Sequence, residues 1–149
     1  MKTHQWQLKY IKWFSAEEMH EAAKNWVSEV NFVRDEQHFF EHLLQQFTKA
    51  GVCSKVTFSC QNLQEELASL KKECNLLVSA LLAHQNKLYI LLDGINQLEE
   101  EEYYRETHEE FIDAIGEFLM KHHQLKKELF ETIKIELKDR RKDNVFLAS

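Results

Sequence analysis

The chain has 149 residues, no proline, three glycines, 44% hydrophobic and 30% charged residues, and a formal net charge of −6. A typical domain carries about 5% proline and 7% glycine, so the turn chemistry that sandwiches, barrels and doubly wound sheets need is almost missing. An all-α fold remains. The acidic balance opposes approach to a phosphate backbone, so no nucleic-acid partner is expected. The longest nearly apolar run, 76–83, is far below the roughly 20 residues that span a bilayer, so no membrane is expected either.

Residues 1–14 interleave lysines with Trp6, Leu8, Tyr10, Ile11, Trp13 and Phe14, which is not the pattern of a signal peptide. They read as a short aromatic lid packed on one end of a bundle, or as an arm that docks on a partner. Three cysteines (Cys53, Cys60, Cys74) are an odd number, and the chain has no Asn-x-Ser/Thr sequon. No disulfide framework is expected, and a reducing cytoplasm fits.

Ser15 followed by Glu18 is a capping box that opens the first helix, with Phe14 and Met19 placed as its hydrophobic staple. The helix should run to about Ala50, where Gly51 supplies a left-handed stop. Met19, Trp26, Val33, Phe40 and Phe47 recur every seven residues, and Ala22, Ala23, Val30, Leu43 and Leu44 fill adjoining positions.

The second helix has the most regular pattern, because Leu63, Leu67, Leu70, Cys74, Leu77, Leu81, His84, Leu88, Leu91 and Ile95 alternate spacings of four and three. That is a coiled-coil heptad. Asp93-Gly94 is a turn signal, although the register continues to Leu98. The third helix begins in the glutamate run 99–102 and reads Tyr104, His108, Phe111, Ile115, Phe118, His122, Leu125 and Leu129, widened by Ile112, Leu119 and Ile133. It is expected to fade into the basic cluster 138–142, with 138–149 a frayed tail. Acid near its start and base near its end suit the helix macrodipole.

Short connections make consecutive helices antiparallel neighbours. One domain over 1–149 is expected, an all-α antiparallel bundle of three long helices, with a four-helix arrangement as the alternative. Phe32 and Phe39 lie one position before the Val33/Phe40 stripe, and Leu76, Leu82 and Tyr89 lie beside the second helix's stripe. An apolar ridge of this kind is either covered or used, and homodimerisation would cover it.

Several polar residues stand on apolar stripes: His84, His108 and His122, with Glu29 and Glu36 on the first helix. Buried polar groups need partners. Matching heights from the two connections sets Glu29 level with His122, Glu36 level with Lys71, and His84 within two turns of His20. Metal is the other reading of such groups. Glu29, His84 and His122 are inner candidates, and Asp35, His38 and His42 share an outer face where the i, i+4 histidines could hold zinc or nickel weakly. The paired Glu-x-x-His elements of ferritin-like di-iron bundles are not there, since Glu17-x-x-His20 occurs once.

No serine faces a histidine–acid arrangement, Cys53 and Cys60 have only Lys55 nearby to activate a thiol, and the three glycines form no phosphate loop. No catalytic residue and no cofactor is therefore expected. The expected function is a cytoplasmic, non-catalytic protein–protein interaction module whose partner is another protein or a second copy. The alternative is a metal- or small-ligand-binding bundle using inner-face histidine and glutamate.

Overall fold

The computed structural model describes residues 15–49, 57–93 and 98–148, and side chains within those ranges except at 49, 57–59, 89–93, 98–100 and 139–148. They form three helices packed against one another: α1 Ala16–Lys49 of 34 residues, α2 Thr57–Asp93 of 37, and α3 Leu98–Ala148 of 51. No helix of the described residues is long and apolar enough to cross a membrane. The proposed lid or arm, the Gly51 stop and the Gly94 turn fall outside the described residues.

The capping box forms as the sequence implies. The Ser15 hydroxyl accepts the Glu18 N–H at 3.1 Å, while Glu18 Oε1 accepts from the Ser15 hydroxyl at 3.1 Å and from the Ser15 N–H at 3.5 Å. Such a cap stabilises a helix by about 1 kcal/mol. Met19, one turn in, is fully buried with Leu88 and Tyr104 in a small apolar cluster, with Ala16 packed on it.

The main core takes one stripe from each helix. Ala23, Trp26, Val30, Val33, Phe40 and Leu44 of α1 meet Leu63, Leu67, Leu70, Cys74, Val78 and Leu81 of α2, and Ile112, Ile115, Phe118, Leu125, Leu129 and Ile133 of α3. In α2 the strict heptad relaxes at mid-helix: Val78 is buried and Leu77 is half-buried, so the two share the place assigned to Leu77 alone. A straight helix drifts by about 20° per heptad, which brings the next residue inward. α3 stays helical through the basic cluster to Ala148 instead of fading there.

Cys74 is a free, buried thiol whose Sγ lies 3.7 Å from the Val30 carbonyl, and burial pushes its pKa up. Cys60, also buried, is disulfide-bonded, contrary to the expectation that the chain would use no disulfide. An odd cysteine count is compatible with one bridge and one leftover thiol.

Candidate functional site

Among the described residues, two buried polar layers and an exposed apolar ridge depart from a plain helical core. The first layer lies where α2 meets α3. His84 Nε2 and His108 Nδ1 are 3.1 Å apart, so one ring nitrogen donates and the other accepts. His84 lies flat on Tyr104, with ring centroids 4.0 Å apart and planes inclined by 5°, and His108 stacks on Trp26 of α1 at 4.4 Å. The Phe111 ring also packs on His84, tilted, at 4.7 Å.

All four of His84, His108, Tyr104 and Trp26 are buried. Burial disfavours the charged forms. It brings the His84 pKa down to about 4, with Lys87 adding to the effect, and the His108 pKa down to about 3, with His84 adding to it. The same burial raises Tyr104 well above the usual phenol range. Both imidazoles are neutral near pH 7 and too weakly basic to serve as efficient general bases there. His84 Nδ1, His108 Nε2 and the Tyr104 hydroxyl have no hydrogen-bond partner among the described residues. The sequence set His84 within two turns of His20, and Met19, the residue before His20, packs with Leu88, one turn from His84; the ring nitrogen that meets His84 is that of His108.

The second layer joins α1 to α3. Glu36 accepts from Lys126 Nζ at 2.6 Å and lies 3.2 Å from His122 Nε2, and the His122 ring stacks on Phe40 at 5.8 Å. Partial burial raises the Glu36 pKa, but the hydrogen bonds and charges of Lys126 and His122 outweigh it and hold the carboxyl below its ordinary value. The expected Glu29–His122 contact is therefore wrong. Glu29 is exposed, and its heptad equivalent seven residues on takes the partner. Seven residues keep the helix face and change the height by about 10 Å. Lys71, expected at Glu36, instead pairs with Glu41 on the edge of α1 that faces α2, and that contact lowers the Glu41 pKa.

The outer candidates stay apart from the core. Asp35, His38 and His42 are all exposed. Among the described residues no group of three or more histidine, cysteine, aspartate or glutamate side chains could hold a metal ion. The sequence reading missed Gln37, which is 0% exposed and whose amide oxygen and nitrogen both lack a partner among the described residues. The signal was present: 19, 23, 26, 30, 33, 37, 40 and 44 alternate spacings of four and three, and Gln37 fills the stripe. Glu136, also buried, extends the α3 stripe three residues beyond Ile133 in the same way.

The ridge residues are open to solvent. Phe32 is 64% exposed, Phe39 57%, Leu76 74% and Leu82 45%. The side chain of Tyr89 lies outside the described residues. The rings of Phe39 and Phe40 lie 6.0 Å apart, tilted by 59°, and Phe40 meets Phe130 of α3 in a T-shaped contact at 5.9 Å. Phe130, half-exposed and not singled out by the sequence reading, meets the buried Phe40 from α3. Between α1 and α2 lies an open groove of about 440 Å³, with Leu44 and Leu67 among its lining and Gln45, Gln64, Lys72 and the Glu41–Lys71 pair around them. No protein-family model, curated protein or solved structure matches the chain.

Proposed function

We propose that this chain is a non-catalytic helical interaction module that contacts a protein partner through the apolar ridge of α1. The observation that carries the reading is the pair Phe32 and Phe39, more than half exposed and one heptad apart. Exposed aromatics in a row mark a contact surface more often than isolated ones do. The bundle is read as antiparallel between consecutive helices. This is supported by Glu41 meeting Lys71 while Val30 meets Cys74, and by Glu73 meeting Lys121 while His84 meets His108. The cytoplasm is its proposed location, supported by the free thiol of Cys74; the Cys60 disulfide weighs the other way.

The test is a photo-crosslinking amino acid placed at Phe39, with the exposed Ser69 of α2 as the control position, in cells that make the protein. A discrete product at position 39 that is absent at 69, and that is lost when Phe32→Lys is added, supports the ridge. Equal products at both positions, or none at 39, remove it. A second reading, ligand binding by inner histidines, rests on the 3.1 Å His84–His108 contact. Zinc that raises the melting temperature in a concentration-dependent way would favour that reading. No shift is expected if the imidazoles are structural.

A further inference from the structure

The outward face of α3 carries a charge series that reads the same from either end once signs are exchanged. Glu106, Asp113, Met120, Lys127 and Lys134 follow at seven-residue intervals, and all five are exposed. In the sequence Glu99 and Arg141 continue the series one step further on each side. Beside it, Glu102 and Lys138, also exposed, stand at equal distances from Met120. Acid thus occupies the N-terminal half of the face, base the C-terminal half, and an apolar side chain, 48% exposed, the centre.

The macrodipole does not account for this. Its influence fades within the first and last turn, whereas Asp113 and Lys127 lie about four turns or more inside the ends of α3. Ion pairs within the bundle do not account for the rest of it either: Glu102, Glu106, Lys127, Lys134 and Lys138 join none among the described residues, while Asp113 has an interaction of its own. α3 faces its own bundle with Ile112, Ile115, Phe118, His122, Leu125 and Leu129, so the charged series points away from both neighbours.

We propose that this face docks on the same face of a second copy, with the two α3 helices antiparallel about a two-fold axis at Met120. In that register Glu106 of each copy meets Lys134 of the other, Glu102 meets Lys138, Asp113 meets Lys127, and the two Met120 side chains meet each other. A parallel arrangement would set acid on acid. A seven-residue interval drifts by about 20° per heptad on a straight helix, and left-handed supercoiling of the pair takes up that drift. One residue opposes the register: Glu131, exposed in the basic half, would face Glu109. The proposal deepens the interaction-module reading by naming a partner and a surface, and it uses a helix other than the one that carries Phe32 and Phe39.

Sedimentation equilibrium of the full chain, at about 50 mM and about 500 mM salt, tests it, because exposed pairs weaken as screening grows. The wild type should dimerise, and more weakly at high salt. Glu102→Lys with Glu106→Lys, or Lys134→Glu with Lys138→Glu, should each weaken dimerisation by about tenfold or more, since attraction becomes repulsion at both ends. An equimolar mixture of the two variants should regain it, as should all four changes on one chain. Glu131→Lys should tighten it. Circular dichroism confirms that each variant keeps its helices. A wild type that stays monomeric, charge reversals without effect, or a mixture that stays monomeric would overturn the proposal. Dimers that survive the reversals but are lost with Phe32→Lys and Phe39→Lys would overturn it while leaving the ridge reading intact, whereas failure of the Phe39 crosslink alone would remove the ridge and leave this one standing.

Discussion

His84 Nε2 sits 3.1 Å from His108 Nδ1, and both rings are buried between stacked aromatics. The contact holds only while one of the two nitrogens keeps a lone pair, so the layer is stable in its neutral form.

The first prediction is acid sensitivity. Burial first, with Lys87 and His84 adding to it, lowers the two imidazoles to about 4 and about 3 from an ordinary 6.5. The unfolded chain then binds more protons than the folded one between those values, so stability present above pH 6.5 is lost as the pH falls. Each pKa unit corresponds to about 1.4 kcal/mol. Urea denaturation at pH 7 and pH 5, above most carboxylate titration, should show the wild type weakening more than a His84→Leu, His108→Phe variant. Equal slopes would mean that the layer opens to water.

A second prediction concerns the α2 stripe. Leu81 is fully buried and Leu77 only half-buried, so Leu81→Asp should unfold the protein and Leu77→Asp should lower its melting temperature without unfolding it. The buried change loses ~2 kcal/mol of apolar transfer and adds an unpaired buried carboxylate. Thermal melts followed by circular dichroism separate the two; equal effects would contradict the Leu77–Val78 sharing.

Glu36 supplies the third. Its carboxylate touches both His122 and Lys126, and a double-mutant cycle of Glu36→Leu with His122→Leu should return a coupling of about 1 kcal/mol. Glu29→Leu with His122→Leu should be additive. Because the folded Glu36 pKa is depressed, its contribution is present above the unfolded value and lost as the pH falls through the folded one.

Gln37 gives the fourth. A fully buried amide without partners among the described residues leaves polar atoms desolvated, and Gln37→Leu should stabilise the chain by about 1–2 kcal/mol in urea. If this residue holds the bundle to one register, as a core amide does in some coiled coils, the same variant should also broaden the unfolding transition or change the association state. A destabilised variant would show that the amide has partners in solution.

The helices themselves could be read from the chain. Ser15 and Glu18 announce a start that the structure reproduces bond for bond, and the stripes from Met19 to Leu44, Leu63 to Leu88 and Tyr104 to Ile133 are the observed core, except that Val78 and Gln37 enter it and Glu29 stays outside. The exposure of Phe32, Phe39, Leu76 and Leu82 follows from the same wheel. Periodicity reports the angle of a side chain around its own helix, because each residue advances by a constant rotation. It carries nothing about height. Which turn of α1 lies beside which turn of its neighbours depends on the path of two connections and on how the three stripes interlock, so Glu36 rather than Glu29 reaching His122, and Lys71 reaching Glu41 rather than Glu36, were decided only when the helices packed.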